Sequence, residues 1–148
     1  MSAVPDNSIW RKAELALVHF VTNNNIGVNE ANIFAGHDNG EKQVPCIVCE
    51  CTDGEPEITG KPTGNWICQC VITLTTKLHD ETGEDASGRF ASIMDSFIDS
   101  TAASVLSSAD EFFTVLQSQV TGFEKRTQGD ELIGTIKVRL TCCGSVII

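Results

Sequence analysis

Apolar and polar positions along this chain fall into two helix-period stretches, each followed by a pair of strand-period runs. From Ile9 to Asn24 the residues Trp10, Ala13, Leu17, Phe20, Val21 and Asn24 recur at three- and four-residue steps, which predicts an amphipathic helix. Arg11, Lys12 and Glu14 mostly fall on its opposite side. Asn7 or Ser8 supplies an N-cap, and Asn23–Asn25 followed by Gly27 supplies a stop. A polar connection over 27–43 leads to a strand over Val44–Thr52, with Ile47, Cys49 and Cys51 on one face. Asp53–Gly64 reads as an irregular loop, since Pro and Gly interrupt it repeatedly. The next strand, Asn65–His79, sets Trp66, Cys68, Cys70, Ile72 and Leu74 on one face.

The same order then recurs. Asp85–Ser107 carries an apolar stripe of Phe90, Ile93, Met94, Phe97, Thr101 and Val105, which predicts a second helix. Strands over Phe112–Phe123 and Glu131–Cys143 follow, joined by a polar turn over 124–131. In the last strand Leu132, Gly134, Ile136, Val138, Leu140 and Cys142 share one face. The expected fold is α+β: one domain over 1–148, a mostly antiparallel sheet packed with two helices like an α/β sandwich, in the order α-β-β-α-β-β. Residues 1–8 read as a flexible N-terminal arm.

Length and charge narrow the function classes. A chain of 148 residues is long enough to bury one core. Neither a signal-peptide pattern nor an apolar run of membrane-spanning length is expected from the sequence. The formal net charge is −10, and it is uneven. Residues 49–88 hold Glu50, Asp53, Glu55, Glu57, Asp80, Glu81, Glu84 and Asp85 against Lys61 and Lys77, a net of −6. Such a surface disfavours phosphate-backbone binding. It serves solubility, or it forms a wall that DNA passes without adhering.

The candidate chemistry is thin. Seven cysteines without a signal peptide read as reduced thiols, not a disulfide framework. Strand alternation puts Cys49, Cys51, Cys68 and Cys70 on one face of a hairpin, the weak candidate metal site of this chain. Zinc thiolates usually converge from turns at two-to-four-residue spacing, so core filling is the favoured reading. Gly54–Lys61 departs from a phosphate loop in glycine spacing, in Pro62, and in its two glutamates. His19 sits among apolar residues and reads as structural. Asp80, Glu81, Glu84 and Asp85 read as a solvated acidic turn, with a channel lining or an interface as the sharper alternative. No catalytic residue and no cofactor is assigned, and an enzyme is the weaker hypothesis.

Several segments carry a family resemblance. They are SIWRKAELALVHFVTNN, PCIVCECT, NWICQCVITLTTKLHD, ASGRFASIMDSFIDSTAASVL and FFTVLQSQVTGFEKRTQGDELIGTIKVRLTCC. In layout the chain resembles the tail terminator (tail completion) proteins of long-tailed bacteriophages. The resemblance spans nearly the whole chain and rests on pattern, since that family has no catalytic motif. It implies a homo-oligomeric ring, typically a hexamer, at the head-proximal end of the tail tube. Such a ring stops tube growth and offers the head-attachment surface. The implied partners are further copies, the tail tube protein and a head-closure or connector protein, with DNA crossing the lumen unbound and no membrane involved. The implied location is the virion neck, after assembly in the host cytoplasm. Another neck component and a cytosolic zinc or thiol protein are the alternatives.

Overall fold

The computed structural model describes residues 9–23, 32–36, 46–56, 65–77, 88, 91–92, 95, 106 and 113–144. Its elements are α1 (Ile9–Asn23), β1 (Ile33–Ala35), β2 (Cys46–Pro56), β3 (Asn65–Lys77), β4 (Phe113–Gln128) and β5 (Glu131–Gly144). The strands form one sheet in the order β1-β2-β3-β5-β4. Only the β1–β2 pair is parallel; the other pairings are antiparallel.

The core lies between α1 and one face of this sheet. Ala13, Ala16, Leu17, Phe20 and Val21 line the inner side of α1 and are almost fully buried. They meet Ile47 and Cys49 of β2, Cys68, Cys70, Ile72 and Leu74 of β3, and Ile136, Val138, Leu140 and Cys142 of β5. Every second residue of β3 and β5 is buried, so the period-2 pattern was read in the correct phase. Each fully buried leucine or isoleucine contributes about 1.5–3 kcal/mol relative to exposure. Leu106 is also fully buried in this cluster.

Four expectations are corrected. First, the described residues contain one helix, not two, so the order is α-β-β-β-β-β. Of the predicted helix over Asp85–Ser107, only Gly88, Ala91, Ser92, Asp95 and Leu106 are described. Their backbone is helical, but they compose no element, and the rest of the run lies outside the described residues. The composition of the run works against its periodicity, since Gly88, Ser92, Asp95, Ser96, Asp99 and Ser100 all have weak helix propensity.

Second, β1 arises inside the predicted polar connection. Ile33, Phe34 and Ala35 pair with Ile47, Val48 and Cys49. Three residues are too few to display an alternation against a polar background. Third, β2 continues through the predicted loop as far as Pro56. A register shift between Cys51 and Asp53 absorbs one extra residue, and proline is tolerated near a strand end. Fourth, the predicted turn over 124–131 is mostly ladder. Strand β4 runs to Gln128, paired with Glu131, and only Gly129–Asp130 turns. Gly129 has φ 62°, the left-handed conformation that two-residue hairpins require. Because β4 pairs on one side only, Lys125 and Arg126 project from the strand without entering the core.

Candidate functional site

Two regions carry unusual side-chain chemistry, one on each side of the sheet centre. The first is the thiol array. Strand register sets Cys51 directly opposite Cys70, and Cys68 lies near Cys142, with the two sulfurs 3.7 Å apart. Cys51 Sγ donates to the Asp53 carbonyl at 3.6 Å, and Cys142 Sγ to the Trp66 carbonyl at 3.7 Å. The predicted one-face placement of Cys49, Cys51, Cys68 and Cys70 is therefore what the strands produce. Sequence reasoning had not joined Cys142 to them. Strands β3 and β5 are far apart in the chain, so the register that sets Cys142 opposite Trp66, and so near Cys68, has no local signal in sequence.

The environment of these thiols opposes thiolate formation. A thiol–thiol hydrogen bond from Cys68 to Cys142 is the main cause pushing Cys68 up to about 12. Cys51 is likewise pushed up to about 12, chiefly through its contact with Cys68. Burial raises Cys49, and the Cys51 contact together with burial raises Cys70. Metal ligation and nucleophilic attack both need the thiolate. Among the described residues, no three His, Cys, Asp or Glu side chains are placed to hold a metal ion. All seven cysteines are free thiols. The array thus behaves as core filling with weak S–H donors.

The second region is the β1–β2 margin. Glu14 and Lys12, expected on the outer side of α1, are buried. Glu14 Oε2 accepts the backbone N–H of Cys51 at 3.0 Å, one residue before the β2 irregularity. Glu14 Oε1 pairs with Arg11 at 3.4 Å. Arg11 Nη1 also donates to the Ala35 carbonyl at 3.1 Å, and the Gly36 N–H donates to the Cys49 carbonyl at 2.7 Å. Where the short β1 ends, the helix side chains take over its role as partner to β2. Gly36 has φ 74°, and a Cβ there would stand 3.3 Å from Glu14 Oε1. The three-residue spacing of Arg11 and Glu14 advertises an ion pair, but nothing local in sequence signals its burial.

His19 is half-buried, with Nε2 lying 3.2 Å from Asn23 Nδ2 one helical turn on, a local surface contact. Asp80, Glu81, Glu84 and Asp85, the candidate channel or interface acids, lie outside the described residues.

A similar fold exists in an assembled particle. A solved chain from the virion of a native gene transfer agent (GTA) particle matches with a TM-score of 0.51 at 10% identity, over 84% of this chain and 92% of that chain. No protein-family model matches the chain. No curated protein matches it either. The likeness establishes a shared fold across nearly the full length of both chains. No described helix is long and apolar enough to cross a membrane.

The remaining geometry is that of a surface. Opposite α1, the sheet presents the alternate residues of its strands. Glu50, Asp53 and Glu55 project there from β2; Ile67, Gln69 and Val71 from β3; Lys137 and Arg139 from β5. On β4, Leu116 and Phe123 are 53% and 55% exposed, and Phe123 stands on the α1 side with its register partner Ile136.

Proposed function

We propose that this chain is a structural subunit of a phage-like virion, working as a ring-forming tail terminator at the head-proximal end of the tail tube. The observation that carries the reading is the fold shared with a virion chain over 84% of this chain and 92% of that one. The layout-level resemblance to tail terminators points the same way. Mechanism here is binding. One face of the ring matches the tube end, and the other refuses further tube subunits and receives the head-closure or connector protein. A head-to-tail contact repeated around a closed rotation gives such a ring, six copies being the expected number. DNA crosses the lumen, and a chain of net charge −10 favours its passage over its retention.

Negative-stain images of the purified chain, alone and mixed with tube protein, test this. Closed rings that cap tube ends are the expected result. Loss of the gene should give tails of unregulated length and unattached heads. A chain that stays monomeric in the presence of tube protein overturns the proposal. Labelled subunits found elsewhere in the neck would shift the role to a head-closure component.

A further inference from the structure

We infer that neighbouring copies meet head to tail across the sheet, the acidic β2 margin of one copy against the basic β5–β4 margin of the next. The inference rests on the ring reading above and names its contact surfaces.

Register lays out the charge pattern. One row across the sheet runs Glu50–Val71–Lys137–Gly122, and the next runs Asp53–Gln69–Arg139–Gln119. A third runs Glu55–Ile67–Thr141–Gln117. Paired residues share a face, so carboxylates stand along one side and cations along the other, with β3 between them. β2 contains Glu50, Asp53 and Glu55 and no basic residue. Strands β4 and β5 carry Lys125, Arg126, Lys137 and Arg139 against Glu124 and Glu131, and of the four cations Lys125 pairs with Gly134 on the α1 side, so Arg126, Lys137 and Arg139 supply the positive charge of the contact face.

Within one copy the two rows of charge are about 10 Å apart, two strand spacings. That exceeds the screening length of about 8 Å at physiological salt, so they attract each other weakly. Asp53, Glu55, Lys137 and Arg139 are all exposed. The cations are also carried toward the open edge. Arg139 donates to the Gln119 side chain on β4. Lys137 lies opposite Gly122, where an added Cβ would sit 3.9 Å from Lys137 Cδ, so no β4 side chain stands in its way.

The same margin supplies apolar area. Among the described residues four large hydrophobic side chains are exposed, and two of them, Leu116 and Phe123, lie on β4; Phe123 pairs with Ile136 and so stands on the α1 side of the sheet, leaving Leu116 as the apolar residue available to this contact. Leu116 is the residue left out of register between Val115 and Gln117, and a second irregularity falls between Val120 and Gly122. Two bulges disrupt the straight edge that strand addition needs. The contact is therefore made by side chains and is not a continuous sheet.

A head-to-tail contact repeated around a closed rotation uses every acidic and every basic row, and a two-fold pairing of the same face is the competing arrangement that the test separates from it. The test uses two full-length variants, Asp53→Lys/Glu55→Lys and Lys137→Glu/Arg139→Glu, with native mass spectrometry as readout. Far-UV circular dichroism and the melting temperature check folding. Each variant alone should need at least about tenfold more protein to assemble, a loss of about 1.4 kcal/mol per contact. Mixed one to one, they should form rings containing equal numbers of each. All four substitutions in one chain should also restore rings. The neutral pair Lys137→Gln/Arg139→Gln should weaken assembly less than the reversals and with a shallower salt dependence.

If wild-type rings form and both reversals assemble like wild type, this contact is overturned and the ring reading stands. A mixture that yields only one-to-one heterodimers overturns the head-to-tail arrangement in favour of a two-fold face pairing. Wild-type monomers at every salt concentration, with tube protein present, overturn the ring reading and this inference together.

Discussion

The two margins of the sheet handle charge in opposite ways. At the β1–β2 margin, the helix brings Arg11 and a buried Glu14 onto the strand, where they satisfy the Ala35 carbonyl and the Cys51 N–H. On β5, one strand in from the β4 margin, Lys137 and Arg139 remain exposed on the face away from α1. The residue types are alike, but burial separates their roles. A carboxylate holding a backbone N–H away from water is part of the fold, because removing it leaves a buried donor unsatisfied. An exposed cation on the solvent face costs the fold almost nothing to change and so is available for recognition.

The largest effect that sharpens this contrast is Glu14→Ala. Loss of the acceptor for Cys51 and the partner of Arg11 should cost about 2–4 kcal/mol in urea unfolding. Glu14→Gln keeps an acceptor and should cost about 1 kcal/mol. Equal losses for both would mean that the charge, and not the hydrogen bond, dominates. Gly36→Ala comes next, at about 1–2 kcal/mol, because it combines a left-handed backbone with a crowded approach to Glu14. A neutral result there would show that Glu14 moves freely and is less tightly held than its burial implies.

A smaller effect comes from pH. The folded thiols of Cys51 and Cys68 are raised from 9.0 to about 12. Above pH 9 the unfolded chain loses these protons while the folded chain keeps them, so unfolding is favoured increasingly between pH 9 and about 12. Below the unfolded value both states are protonated and the dependence vanishes. The melting temperature should fall across that window, and Cys51→Ala/Cys68→Ala should flatten the slope. An unchanged slope would assign the alkaline loss to Cys49 and Cys70, whose thiols are also raised, or to lysines. The smallest stability effect is at the open margin, where Leu116→Ser and Phe123→Ser should each stay within about 0.5 kcal/mol of wild type. Large destabilisation from either would make that margin part of the fold.

The strands that sequence reasoning located well are the central ones. In β3 and β5 both neighbours are present, one face is buried throughout, and strict alternation results: Cys68, Cys70, Ile72 and Leu74, then Ile136, Val138, Leu140 and Cys142. Margins were harder. Strand β1 is too short for a period, the end of β2 is written in turn residues, and the end of β4 is charged because one edge faces solvent. Of the second predicted helix, Gly88, Ala91, Ser92, Asp95 and Leu106 are helical without composing an element, and the rest of the run lies outside the described residues. For the candidate site, the one-face placement of four cysteines followed from alternation, whereas the Cys142 contact and the burial of Glu14 depend on elements distant in the chain. Both are tertiary facts with no local signature.

The seven free thiols have a practical consequence for how the protein ages. Cys46, Cys49, Cys68, Cys70 and Cys142 are buried, while Cys51 and Cys143 are only partly covered. Alkylating and oxidising reagents in neutral solution should therefore mark Cys143 first, Cys51 more slowly because its raised pKa leaves little thiolate, and the other five only as fast as the subunit opens. The order of labelling is then a clock for local opening, and a subunit carried from a reducing to an oxidising medium keeps its interior covalently unchanged for as long as the sheet stays closed.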